Sequence, residues 1–213
     1  MKKKLILMCV AGVLVMTAII GGTLAGFNTS TESKGVTNIT VNALGIEMLG
    51  TNSGNIAQAS ADDVKPGGEI ELIKNIQNNV DGGYTLYTRV TIDKKWSDEE
   101  LDASKIHLYV GSGDNKVELL AGVTVNNWIV WYSDAEQVIM YYTKPLVQGE
   151  VSQNLIESVS FDEDMNNSYV GKEVMISFSA DAVQTIAAED SIPSEWGVYP
   201  VIAGDGTITA IEE

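Results

Sequence analysis

Trp128-Ile129-Val130-Trp131-Tyr132, then Ser133-Asp134-Ala135-Glu136, then Val138-Ile139-Met140-Tyr141-Tyr142 is the stretch on which the fold turns. Two runs of β-branched and aromatic residues flank a polar turn, which is the pattern of an antiparallel hairpin. Apolar residues occupy both faces of each run. The hairpin is therefore expected at the centre of a sheet, or covered on both sides.

Downstream, Val159 and Phe161 lead to the acidic turn Asp162-Glu163-Asp164-Met165-Asn166-Asn167. Val174, Ile176, Phe178, Ala180 and Ala182 then give the cleanest period-two alternation in the chain. Beyond Trp196-Gly197-Val198, Val201-Ile202 and Ile208 to Ile211 flank Gly204-Asp205-Gly206 and predict a last small hairpin.

Upstream, Ile106, Leu108 and Val110 alternate with His107 and Tyr109, and Val117 to Val125 carries one or two weaker strands. Ser97 and Glu100 have capping-box spacing after Trp96, which predicts a short helix to about Ser104. Ile70, Leu72 and Ile76 share one face. Asn78 to Gly83 is a turn, and Tyr84, Leu86, Val90 and Ile92 return as a hairpin or a longer crossing between sheets. Lys65-Pro66-Gly67-Gly68 is a turn, and Thr51 to Asp63 has loop composition. Ile39, Val41 and Ala43 alternate, and the pattern shifts by one residue at Gly45 before Ile46 and Met48, a bulge in one strand or a break between two. Many short strands with turn signals and almost no helix predict an all-β fold, an antiparallel sandwich or barrel with one or two short helices.

The N-terminus has the layout of a secretory signal peptide. Lys2, Lys3 and Lys4 precede an uncharged apolar run from Leu5 to Ile20, and Gly21-Gly22-Thr23-Leu24-Ala25-Gly26 offers cleavage after Ala25 or after Gly26. A retained anchor is the alternative, since a spanning helix needs about 20 apolar residues. With 1–26 taken as the signal, 27–37 reads as a flexible lead, 38–199 as the sandwich domain and 200–213 as a terminal hairpin or tail. The signal takes three of the 13 Lys and Arg, so the rest carries 10 basic against 29 acidic residues, 10 − 29 = −19. Such a surface repels phosphate backbones, which argues against nucleic-acid binding. The one cysteine, Cys9, lies within the apolar run, too early to be an acylated lipoprotein cysteine, and the remainder can form no disulfide. Once the signal is cut, no second apolar anchor is expected to hold the protein in a membrane.

Several of these residues together resemble one family. The Lys-rich start, Gly21-Gly22-Thr23-Leu24-Ala25 and Phe27-Asn28 are similar to the signal and mature N-terminus of the TasA/camelysin proteins of Gram-positive bacteria. Val64-Lys65-Pro66-Gly67-Gly68, the following strand ending in Asn78-Asn79, Tyr87-Thr88-Arg89-Val90 and Ala182-Val183-Gln184 also resemble that family, in the same order. The resemblance implies a jelly-roll sandwich, export with a dedicated signal peptidase, and a structural subunit that self-assembles into a homopolymeric extracellular fibre of the biofilm matrix or cell surface. It implies assembly by strand addition, with Phe27, Asn28 and Val36 in the candidate donor lead and Ile39 and Val41 in the strand behind it. That strand is expected to pair within its own subunit, which leaves the lead from Phe27 to Val36 as the better candidate donor. The alternatives are a camelysin-like metalloendopeptidase and a monomeric surface binding module.

Catalysis has little to work with. Zinc hydrolysis needs about three protein ligands, and the chain holds one His and no cysteine beyond the signal. His107 is expected as a lone surface imidazole, and no Gly-x-Ser-x-Gly elbow is present, so no enzyme is expected. Asp162, Asp164, Asn166, Ser168 and Glu173 fall at the first, third, fifth, seventh and twelfth places of a calcium loop. Asn167 stands where such loops have glycine, and the flanks read as strands, so calcium and an ordinary acidic turn both stay open. Trp96, Trp128, Trp131, Tyr132, Tyr141 and Tyr142 are expected to be sheet core, with a sugar-binding platform as the alternative.

Overall fold

The computed structural model describes residues 40–41, 46–50, 64–170 and 172–213. The strands are β1 (Thr40–Val41), β2 (Ile46–Gly50), β3 (Glu69–Asn78), β4 (Leu86–Trp96), β5 (Ile106–Val110), β6 (Val117–Glu118), β7 (Thr124–Val125), β8 (Trp128–Ser133), β9 (Gln137–Tyr142), β10 (Ile156–Phe161), β11 (Val174–Gln184), β12 (Tyr199–Ile202) and β13 (Ile208–Glu212). One α-helix, α1 (Ala188–Trp196), precedes the last two strands. No described helix is long and apolar enough to cross a membrane.

Two antiparallel sheets form the sandwich, one ordered β1-β2-β3-β10-β5-β6 and the other β11-β4-β9-β8-β7. The pairing is that of a jelly roll. β3 pairs with β10 in the first sheet, and their continuations β4 and β11 pair in the second, so an antiparallel ribbon rolls from one sheet to the other. β9 with β4 and β10 with β5 repeat the arrangement. The segment after β3 is therefore the crossing between sheets and not a hairpin.

The core lies between the sheets and follows the period-two pattern. Leu72, Ile76, Val90, Ile92, Leu108, Val130, Met140, Val159 and Ile176 all point into it. Each fully buried aliphatic side chain of this kind contributes roughly 1.5–3 kcal/mol. Asn78 ends β3 inside this core at 0% exposure. Its Nδ2 donates to the carbonyls of Tyr84 and Leu146, both at 2.8 Å, and its Oδ1 accepts the Val80 N–H at 3.0 Å, which pins the crossing in place.

The β8–β9 hairpin forms as expected, with Trp128 opposite Tyr142. It is covered on both sides. A second apolar cluster on its outer face joins Tyr87, Tyr141 and Val183 to Ile192 and Trp196 of α1 and to Ile208 of β13. The β12–β13 hairpin belongs to this layer and is no free tail: Tyr87 Oη donates to Gly206 O at 2.6 Å and the Ile208 N–H donates to Thr143 O at 2.8 Å.

Two local expectations change, and one open alternative is settled. The Ser97–Ser104 helix is absent. Asp98 Oδ1 accepts the Glu100 N–H instead, and Asp102 Oδ1 caps a short 3₁₀ turn at Ala103–Lys105. A single turn with its own Asx hydrogen bonds competes well against a helix of that length. The helix that does form, α1, was not anticipated. The shift at Gly45 is a break between two strands, since β1 and β2 pair antiparallel with Val41 opposite Ile46.

Candidate assembly edge

A sandwich of two open sheets has four edges, and here they are unequal. β1, β6 and β7 each contain two residues. β11 contains 11 residues and is paired along its whole length with β4, from Val174 opposite Trp96 to Gln184 opposite Leu86, with no shift of register. Among the described residues no strand pairs with its other side. In an antiparallel ladder alternate residues direct their N–H and C=O groups away from the partner, so β11 presents a row of them outward.

Edge strands are ordinarily blunted by being short, by a bulge, or by Lys or Pro. Three of the edges are short. β11 has no Lys, no Pro and no bulge. Its inward face, Val174, Ile176, Phe178, Ala180 and Ala182, is buried in the core. Its one charged residue, Asp181, is engaged with Arg89 of β4 at 2.6 Å.

β1 and β2 of the other sheet lie beside β11. Among the sequence-derived assembly residues, Val41 lies in β1, with its backbone paired to Ile46. Phe27, Asn28, Val36 and Ile39 lie outside the described residues, as do Ala25 and Gly26 of the processing site.

The acidic loop is built around a lysine. Lys105 Nζ lies 3.2 Å from Asp162 Oδ2 and 2.5 Å from Asp164 Oδ1. The Asp164 N–H and then the Lys105 ammonium hold the Asp162 carboxyl below its ordinary range, while the two carboxylates, Asp164 first, push the Lys105 pKa up. Asn166 Oδ1 accepts the Ser168 N–H at 2.8 Å, an Asx turn, and the Glu173 carbonyl accepts the Ser97 N–H at 2.9 Å. Lys105 thus supplies the positive charge that calcium would bring. Among the described residues no three His, Cys, Asp or Glu side chains gather as a metal-binding group. His107 is half-buried, with Nδ1 2.7 Å from Glu118 Oε1 and Nε2 3.7 Å from Asp162 Oδ2.

Of the aromatic set, Trp96, Trp128, Tyr141 and Tyr142 are buried and Tyr132 is exposed. Trp131 packs edge-on against Tyr141. Trp96, Trp128, Tyr141 and Tyr142 are thus core as expected, while Trp131 is half-buried and Tyr132 lies at the surface.

Two inward-facing lysines are further features of the site region. Lys74 on β3 and Lys94 on β4 are each 7% exposed. Burial pushes the pKa of both down, and for Lys94 the charges of Glu118, Asp134 and Asp102 oppose that shift. Lys94 Nζ donates to the Ile106 carbonyl at 2.6 Å, tying one sheet to the other. Position 74 has the parity of Leu72 and Ile76, and position 94 that of Ile92 and Trp96, so the alternation itself carries the signal for both.

No family model matches this chain, and neither a curated protein nor a solved structure matches it.

Proposed function

We propose that the protein is an exported structural subunit that polymerises by strand addition into an extracellular fibre, the lead 27–36 of one copy pairing with β11 of the next. The observation that carries this reading is the contrast between three two-residue edges and one unblunted 11-residue edge. An extended segment adds to such an edge through main-chain hydrogen bonds and needs little from side chains. The Thr- and Ser-rich composition of 27–36 suits that demand.

The dimensions agree. At about 3.3 Å per residue the ten residues 27–36 extend over about 33 Å, and β11 spans about 36 Å. β1, which follows the lead in sequence, lies beside β11 of its own copy, so in this reading the same segment has an intramolecular and an intermolecular destination, the condition under which strand exchange becomes inexpensive. A head-to-tail exchange does not close on itself and generates a filament. Release of the lead by signal cleavage would then act as the trigger, and the resemblance to TasA-like matrix proteins points the same way.

Negative-stain electron microscopy of residues 27–213 beside residues 37–213 tests the proposal. Fibres from the first and single particles from the second are expected. Monomers from both, across pH and salt, would overturn it and favour a monomeric surface module.

A further inference from the structure

We propose that the cavity over Lys94 is a binding site for a small aliphatic monocarboxylate. The cavity has a volume of about 250 Å³ and opens where β5 and β6 meet the β8–β9 turn. Leu108, Leu119, Leu120 and Val138 make its walls. Lys94, 7% exposed, also lines it.

The Lys94 ammonium has three N–H donors. Among the described residues only the Ile106 carbonyl accepts one of them, at 2.6 Å, and no carboxylate lies within ion-pair distance. The nearest acids on the cavity wall are already engaged. Glu118 is held by His107 Nδ1 at 2.7 Å, while Asp134 Oδ1 accepts the N–H groups of Glu136 and Gln137 and its Oδ2 accepts the Tyr132 hydroxyl. A nine-tenths buried ammonium with one hydrogen-bond acceptor among the described residues, carboxylates only beyond ion-pair distance and leucines beside it is complementary to a group with two acceptor oxygens, one negative charge and an alkyl tail. An alcohol offers an acceptor but no charge. Glu118 and Asp134 also line the cavity, so every further negative charge on a ligand adds repulsion, which favours a single charge over a dianion or phosphate.

The space suits a short chain. At about 30 Å³ per water the cavity has the room of roughly eight waters, comparable with the eight or so heavy atoms of hexanoate. The site is independent of the β11 edge, and its failure leaves the assembly proposal untouched.

Isothermal titration of the 213-residue chain with sodium hexanoate, hexan-1-ol and disodium succinate tests the site. Saturable binding of hexanoate is expected, with hexanol and succinate weaker by roughly tenfold or more. Lys94→Met should weaken hexanoate by roughly tenfold or more, and Lys74→Met should leave it unchanged. Leu120 is half exposed at the mouth, so Leu120→Glu adds a negative charge there without disturbing the core and should weaken hexanoate even if Lys94→Met does not fold. Absence of saturable binding, equal affinity for hexanol, or binding unchanged in Leu120→Glu or in a folded Lys94→Met overturns the proposal.

Discussion

Arg89 and Asp181 stand directly opposite each other across β4 and β11, with Arg89 Nη2 2.6 Å and Nε 3.2 Å from the same Asp181 oxygen, Oδ2. The guanidinium also lies 5.5 Å from the centroid of the Trp196 ring. One side chain thus links the edge strand, its neighbour and α1. Asp181→Ala removes the acceptor and leaves a partly exposed arginine, so a loss of about 1 kcal/mol is expected, read as a lower Tm. Because the pair looks toward β4, fibres should still form, which electron microscopy of the variant checks.

No hydrogen bond or ion pair of the Lys74 ammonium is found among the described residues, and a Cβ on Gly50 would collide with its Nζ. The absence of a side chain on Gly50 is what gives the ammonium its place. Burial lowers the folded pKa below the unfolded value, so the group destabilises the fold while it is charged in both states. Stability should rise with pH from the lowered folded value up to the unfolded lysine range near about 10.4, because the folded state gives up its proton first. Lys74→Met should abolish that rise and stabilise the neutral-pH protein by an amount on the order of 1–4 kcal/mol. Thermal melts of both proteins between neutral and alkaline pH check this.

What the residues disclosed follows the range of the forces involved. Strand periodicity is local, and β5, β8, β9, β11 and the β12–β13 hairpin were readable from alternation and turns. Which sheet each strand joins depends on pairing across long separations, as with β3 opposite β10, and left the 78–86 segment ambiguous between hairpin and crossing. The helix α1 carried almost no local signal. Ala187 precedes it at φ 61° with no capping side chain, and Pro193 lies inside it. It exists because Ile192 and Trp196 bury against Tyr141 and Val183, a tertiary reward that outweighs propensity. The openness of β11 is likewise a property of topology, since its sequence would read the same in the middle of a sheet.

Asn78 offers a sharp test of the crossing between sheets. Its side chain satisfies the carbonyls of Tyr84 and Leu146 and the N–H of Val80. Asn78→Ala strands these groups in or near the core, and a loss on the order of 3 kcal/mol is expected. Urea unfolding should show a lower midpoint with an unchanged slope, the mark of lost stability without a changed fold.

The acidic loop should respond to protons more than to calcium. Asp162 contributes stability while it is ionised and held by the Asp164 N–H and Lys105, because its folded pKa lies below the unfolded one. That contribution is complete above the ordinary aspartate range near about 3.9 and is lost as pH falls through the lowered folded value. Asp162→Asn should therefore flatten the acid limb of the stability profile. Added calcium should leave the Tm of the intact chain unchanged, since Lys105 already neutralises the pair, and a calcium-dependent rise would refute this account of the loop.

The most direct prediction concerns β11 and the lead together. Residues 27–213 contain no cysteine, since the one cysteine of the chain is Cys9, so introduced thiols report on a single contact. Ser179 lies midway along β11 on the face away from the core, where a cysteine is accessible and leaves the inward packing untouched. A strand added beside β11 brings one of its residues to a Cα separation of about 4.5–5.5 Å from position 179, within disulfide reach. Mixing Ser179→Cys subunits with subunits carrying one cysteine scanned from Asn28 to Val36 should therefore give a disulfide-linked pair under mild oxidation at one or two scan positions and at none of their neighbours of opposite parity. Cross-links spread evenly over the scan would mean a lead that never settles into a ladder. A single protein carrying both cysteines distinguishes the two destinations: a linked monomer on a denaturing gel means the lead closes its own edge, and a ladder of linked multimers means that it closes the edge of the next copy.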